Sequence, residues 1–301
     1  MVRLVRSIVL VTAVVAVLGS PFQAQTRDAS AVLADMRQAL GGAAALDAVT
    51  TFSVRGTVRK TRGGFTKNLS TELLAMLPDR FLEVRRDTGG SGPLPLDITY
   101  YNGFRGDTLL RRTDANIPFP PDPVPNTPAA QAAHERQMLL SQKQEFARLT
   151  LILFGRAFDS YPMQFDYIGI TQVDGRNLEV IEASAADGYR MRLSVDAVTH
   201  LPVMISYVAL QPVMVSTSST VTMQGGQVRS RSDAPMPNAP SLDSMPKAVQ
   251  RLTASDFKAQ DGLNWPRKLS EETGGKIVST IDFGKFQINP SIKPSRFEIG
   301  R

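Results

Sequence analysis

The chain has 301 residues, no cysteine and a formal net charge of +6. Without cysteine, disulfides and a lipid-modified cysteine anchor are excluded, so burial alone must hold the fold; a chain this long can supply it in one large domain or two small ones. The positive excess is mild, which favours contact with anionic surfaces such as lipid headgroups but falls short of a nucleic-acid footprint.

Residues 1–25 predict a secretory signal peptide. Arg3 and Arg6 form a basic start, Ile8 to Leu18 is an apolar run, Gly19-Ser20-Pro21 breaks it, and Ala24 offers a small residue before a cut near Ala24 or Gln25. The run is shorter than the ~20 residues of a membrane-spanning helix. The expectation is export to the periplasm or beyond, with residues 26–301 as a single domain.

After the leader, Asp28 or Ser30 is placed to cap a helix over Ala29 to Leu40, whose Val32, Leu33, Met36 and Leu40 share a stripe. Gly41-Gly42 ends it, and a second short helical turn runs from Ala43 to Val49. From Thr51 the period switches to two, with Phe52, Val54 and Gly56 on one face. Arg62-Gly63-Gly64 predicts a hairpin turn. Strands follow at Phe65 to Leu77, Arg80 to Arg86 and Leu96 to Tyr101. Asn102-Gly103 reads as a tight turn returning through Phe104 to Arg112. Arginines at 55, 59, 62, 80, 85, 86, 105, 111 and 112 are expected on the solvated face of these strands, where they also guard edges.

A proline-rich stretch at 117–128 cannot join a sheet and predicts a surface spacer or lid-like loop. Thr127-Pro128 opens the longest helix, about Ala129 to Phe158, with Leu149 to Phe154 apolar nearly all round and therefore buried on the sheet or over an apolar cavity. Strands return at Gln164 to Val173, Leu178 to Ala183, Tyr189 to Val195 and Pro202 to Leu210, separated by Asp-Gly and Asp/Thr/Pro turn chemistry. Val213 to Met223 is a Ser/Thr-rich strand pattern turning at Gly225-Gly226. A flexible Pro/Ser loop at 232–246 precedes strands at Leu252 to Phe257, Arg267 to Glu272 and Lys276 to Phe283. The pattern predicts an α+β fold: a large curved antiparallel β-sheet with covering helices and no βαβ rhythm.

No catalytic constellation stands out. His134 in the long helix is followed four positions on by Met138, so the zinc-protease spacing fails. His200 lies in a turn. Gly89-Gly90-Ser91-Gly92 fails the nucleophile-elbow spacing at Pro93. There is no phosphate-binding loop and no dinucleotide fingerprint. The reading is no metal, no cofactor and no nucleic acid; a secreted hydrolase ranks last among the functions.

Leu193-Ser194-Val195-Asp196, then Thr199-His200-Leu201-Pro202-Val203 and Ile205-Ser206-Tyr207, resembles a hairpin of the LolA-like family of periplasmic lipoprotein carriers and outer-membrane lipoprotein-sorting proteins. Asp261-Gly262, Trp265-Pro266, Phe286-Gln287-Ile288-Asn289-Pro290 and a tail ending at Phe297 are similar to that family's carboxyl end. Ala39-Leu40-Gly41-Gly42 with Leu46, Val49 and the strand from Phe52 to Val58 is similar to its beginning. The resemblance covers about a third of the chain. It implies an incomplete, curved antiparallel barrel whose concave apolar face is covered by helices and receives acyl chains. The expected function is non-catalytic binding or carriage of an apolar ligand, a lipid or acylated lipoprotein, with peripheral membrane contact. The expected groove residues are Leu82, Val84, Leu149, Leu153, Met191, Leu193, Val195, Ile205 and Tyr207. The alternative is an envelope protein-interaction or sensor module on the same scaffold, using the proline-rich stretch and the arginine-rich strands.

Overall fold

A computed structural model describes residues 27–62, 64–89, 97–116, 127–210, 220–224, 227–231 and 246–299. The expected leader, the Gly90–Gly92 segment, most of the proline-rich stretch at 117–128 and nearly all of the loop at 232–246 lie outside the described residues.

The chain begins with helix α1 (Ala29–Ala39), whose first turn is held by the Asp28 carboxylate accepting from the Ala31 amide at 2.8 Å. Its stripe of Val32 and Met36, continued by Leu40, is fully buried. Gly41 and Gly42, both at positive φ, turn the chain into α2 (Ala43–Asp47). A Cβ on Gly41 would lie 2.5 Å from the Gly262 carbonyl, so only glycine lets this turn sit against the far end of the molecule.

Five strands follow as a meander: β1 (Thr51–Arg62), β2 (Phe65–Met76), β3 (Arg80–Asp87), β4 (Ile98–Arg105) and β5 (Thr108–Ala115). The long helix α3 (Pro128–Phe154) comes next. A second meander takes β6 (Gln164–Val173), β7 (Arg176–Ser184), β8 (Arg190–Asp196) and β9 (Pro202–Leu210). The hairpin of β10 (Thr220–Gln224) and β11 (Gln227–Arg231) forms a separate two-stranded ribbon. The chain then returns through β12 (Lys247–Gln260), β13 (Leu263–Thr273) and β14 (Lys276–Ile288).

All but β10 and β11 join one 12-stranded antiparallel sheet in the order β5-β4-β3-β2-β1-β14-β13-β12-β9-β8-β7-β6. The first and last strands of the chain pair, with Phe52 opposite Ile288 and Val54 opposite Phe286. That pairing joins the first meander to β14, β13 and β12, and β12 pairs in turn with β9 of the second meander. The sheet does not close: β5 and β6 remain its edges. Because α3 connects those two edges, it must cross from one side of the sheet to the other. Its 27 residues give about 40 Å for that crossing.

The predicted α+β architecture with a curved, unclosed antiparallel sheet is therefore the architecture observed. Thr127 caps α3, its hydroxyl accepting from the Ala130 amide, with Pro128 in the first turn. The helix ends four residues earlier than expected, at Phe154, because Gly155 adopts the left-handed conformation (φ 62°). Its last eight residues but one, Arg148, are buried, as the apolar run predicts. Phe154 packs edge-on against Trp265 at 5.7 Å, Trp265 stacks on Phe286 at 4.1 Å, and Phe52 lies against both Phe286 and Phe154. On the opposite face, Phe297 in the closing 3-10 turn (Pro294–Phe297) is fully buried with Leu74, Leu82 and Leu110.

One turn is misplaced by the sequence. Asn102-Gly103 does not turn the chain; it lies inside β4, with Gly103 opposite Leu82 on β3 and Leu110 on β5. The turn falls at Gly106-Asp107, where Gly106 takes positive φ. Gly103 is glycine for a different reason: a Cβ there would meet the Phe81 carbonyl at 2.0 Å. Replacing Gly103 with Ala should therefore destabilise the fold by about 1–3 kcal/mol, as overpacking does. The measurement is chemical denaturation; an unchanged midpoint contradicts the close approach.

Candidate functional site

Under the middle of α3 the sheet leaves a cavity of about 470 Å³. Its floor is built by residues that alternate along the strands onto the face covered by α3: Leu73 on β2, Phe81 on β3, Leu252 on β12, Leu269 on β13 and Ile281 on β14. Leu149 of α3 closes it from above. The size is within the usual range for small-molecule sites, about 300–1,000 Å³.

The rest of the lining is charged or polar. Lys60 comes from β1, Glu83 and Arg85 from β3, Glu271 from β13, and Glu145 and Arg148 from α3. Arg85 binds Glu83 at 2.6 Å and lies 3.9 Å from Glu145, linking the sheet to the helix. Arg148 donates to the Tyr189 hydroxyl at 2.8 Å, and its guanidinium lies 4.1 Å above the ring of Tyr207. The Tyr207 hydroxyl in turn donates to Glu271 at 2.9 Å. On the helix's outer flank, Tyr161 donates to Asp187 at 2.7 Å, and Gln144 donates to both. The cavity is thus apolar along its floor and strongly polar along one wall.

Of the nine residues expected to line a groove, Leu149 and Tyr207 do. Leu153 on α3 and Met191, Leu193, Val195 and Ile205 on the sheet are packed into the core, each 1% exposed or less, and do not line this cavity. Leu82 and Val84 point to the opposite face: Leu82 packs with Leu74, Leu110 and Phe297, and Val84 against that same cluster. The physical reason is the two-residue period of a strand. In β3 the apolar phase, 82 and 84, faces the closing tail, while Phe81, Glu83 and Arg85 face the cavity. Arg85 consequently departs from the solvated arginine row, with its side chain 18% exposed. Arg85 reads in the sequence only as one of the solvated strand arginines; the signal that separates it is the odd phase it shares with Phe81 and Glu83.

Among the described residues, no group of three or more His, Asp or Glu side chains is arranged to hold a metal ion. No helix among them is long and apolar enough to cross a membrane. His134 is half-buried on α3, and His200 sits at positive φ in the β8–β9 turn. That turn is organised by Asp196, whose carboxylate accepts from the amides of Val198 and Thr199 and from the Thr199 hydroxyl.

Burial pushes the Glu83 carboxyl up to about 7; Arg85 opposes the rise, and the Glu145 charge adds to it. Burial also lowers the affinity of the Lys60 amine for its proton, and the nearby Arg85 charge lowers it further. For Arg85 burial disfavours the charge, but Glu83 and Glu145 more than offset it, and its pKa is raised. An acid whose folded pKa lies above its unfolded value is more costly to ionise in the folded state. Its penalty is absent below the unfolded pKa and complete above the folded one. Relative to Glu83→Gln, the wild-type protein should therefore lose about 2 kcal/mol of stability between pH 5 and pH 8. Urea titrations of both proteins across that range measure the difference; parallel pH profiles contradict an elevated Glu83.

No protein-family model matches the chain, and no curated protein matches it. Solved structures resemble it. A LolA-superfamily protein from Nitrosomonas europaea aligns at TM-score 0.48 and 11% identity, covering 90% of this chain and 97% of that one. A DUF1329 family protein from Desulfovibrio piger aligns at 0.46 and 11%, covering 89% and 96%. An outer-membrane lipoprotein-sorting protein domain from Vibrio parahaemolyticus aligns at 0.46 and 9%, covering 89% and 97%. The chain is thus similar to LolA-like structures in part, at a level that leaves the functional argument to its own cavity.

Proposed function

We propose that the protein is an exported, non-catalytic binder or carrier of a lipid or acylated ligand, held in the cavity between α3 and the sheet. The observation that carries this reading is the apolar floor of Leu73, Phe81, Leu252, Leu269 and Ile281, roofed by Leu149. An acyl chain laid on such a floor gains about 0.8 kcal/mol per methylene removed from water, so no reactive group is needed to hold it. The apolar groove expected from the sequence is narrowed to an amphiphilic one, because charged side chains line one wall. Export rests on the leader pattern of residues 1–25 and puts the protein where lipids and acylated proteins must cross an aqueous space.

A second reading, contact with an envelope protein, is favoured by the edge strand β6. It pairs on one side only and leaves Ile168 and Ile170 more than half exposed.

Protein secreted by a bacterial host and examined by native mass spectrometry should carry lipid-sized adducts that organic extraction removes, with a fall in melting temperature afterwards. Replacing Leu252 with Trp, which fills the floor from a half-buried position, should weaken retention at least about tenfold while leaving the fold intact. A protein that emerges ligand-free, with a melting temperature indifferent to extraction and to added lipid, overturns the reading.

A further inference from the structure

We propose that the cavity selects a single-chain amphiphile with an anionic headgroup, a carboxylate or a phosphate monoester, which Lys60 and Arg148 hold while its chain lies on the apolar floor. The inference rests on the ligand-binding reading above and adds the charge and position of the head.

Three cations line the cavity, Lys60, Arg85 and Arg148, and they are not equally satisfied. Arg85 has Glu83 at 2.6 Å. Among the described residues Lys60 has no hydrogen bond or carboxylate within ion-pair distance, and Arg148 has a tyrosine hydroxyl and a tyrosine ring but no carboxylate within that distance. Both are half-buried, and a cation partly withdrawn from water without a counter-charge carries a cost that is recovered when a ligand supplies that charge. Two such cations in one cavity therefore mark where a negative group belongs.

The carboxylates present do not remove the need. Glu271 is engaged by the Tyr207 hydroxyl. Glu83 is shared with Arg85 and is held partly protonated near neutral pH by its burial. Glu83 therefore offers the cations less than a full negative charge, and neither Glu145 nor Glu271 lies within ion-pair distance of Lys60 or Arg148. Arg148 also has a donor geometry suited to carboxylate or phosphate oxygens, and its stacking on Tyr207 fixes its plane. The helical and strand origins of the two cations matter as well: Lys60 projects from β1 and Arg148 from α3, so a bound head bridges sheet and helix. The cavity volume, about 470 Å³, fits one hydrocarbon chain beside a small head.

The test uses four probes with the same fourteen-carbon chain: tetradecanoate, tetradecyl phosphate, tetradecanol and tetradecyltrimethylammonium. Each displaces the neutral fluorophore N-phenyl-1-naphthylamine from delipidated full-length mature protein. The expected result is that the two anionic probes compete at concentrations at least about tenfold below tetradecanol, and the cationic probe competes worst. The order of the two anionic probes assigns the head to carboxylate or phosphate. Lys60→Met should remove most of the gap between tetradecanoate and tetradecanol without changing tetradecanol itself, and Lys60→Arg should keep it. Equal competition by acid and alcohol, or preference for the ammonium, overturns the anionic head while leaving lipid binding in place. Failure of every probe to bind overturns both readings. A Lys60→Met protein that loses tetradecanol as well as tetradecanoate marks Lys60 as structural and overturns its role in holding the head.

Discussion

The interaction on which the rest of the molecule depends is the cluster of Phe52, Phe154, Trp265 and Phe286 at the meeting of β1, α3, β13 and β14. Phe52 and Phe286 belong to the first and last strands, whose pairing is the seam that joins the first meander to the returning strands β14, β13 and β12. Phe154 is the final residue of α3, the segment that must span from one sheet edge to the other. Trp265 stacks on Phe286 at 4.1 Å and meets Phe154 edge-on, so the same rings that close the seam also pin the end of the helix. Each aromatic pair adds about 0.5–1.5 kcal/mol beyond the area it buries. Concentrating four of these pairs where the chain's ends meet makes closure of the seam and seating of the helix one event. With that end fixed, the rest of α3 lies over the sheet at a distance set by the side chains beneath it. Beneath Glu145, Arg148 and Leu149 the cavity remains.

The architecture was legible in the sequence because its signals are local. Period-two alternation from Thr51 onward, Asp174-Gly175 and Asp261-Gly262 as turns, and the Thr127-Pro128 start of α3 each act within a few residues, and each is found where it was expected. The misreading of Asn102-Gly103 is instructive. A turn dipeptide and a close-approach glycine have the same sequence appearance. Only the position of β3, with the Phe81 carbonyl 2.0 Å from where a Cβ would stand, separates them. Gly106-Asp107 three residues later supplies the positive φ that the turn requires.

The site was legible only in part, and the reason is again periodicity. In β8 and β9 the apolar residues Met191, Leu193, Val195, Ile205 and Tyr207 share the face that packs under α3, as read. In β3 both phases carry apolar residues, Phe81 on one and Leu82 and Val84 on the other, and the sheet has a core on each side. The closing tail with Phe297 covers the second face. A strand with two buried faces gives no hint of which face looks into a cavity. Nor does sequence register that Lys60, Glu83, Arg148 and Glu271, spread over more than two hundred positions, converge on one wall. That convergence follows from the strand order, in which β1 is flanked by β2 and β14, a long-range pairing invisible to local pattern.

The charged wall also bears on how such a sheet can hold a ligand at all. Filling the cavity with apolar side chains would add stability, since buried ionic groups seldom outdo well-packed hydrophobic ones of the same volume. Here the opposite has been kept. Glu83 resists ionisation, burial and the Arg85 charge disfavour the charge of Lys60, and Arg148 is half-buried against two tyrosines rather than a carboxylate. These side chains sit at the centre of the helix crossing, away from the aromatic cluster that secures its end. Stabilising and unsatisfied contacts stand side by side on α3: Phe146 packs on Phe81 and Phe104, while Arg148 two residues on is left with an interaction to complete. A ligand whose chain covers the apolar floor and whose head meets the free cations supplies both missing terms at once, which is why stability and occupancy of the cavity should rise and fall together.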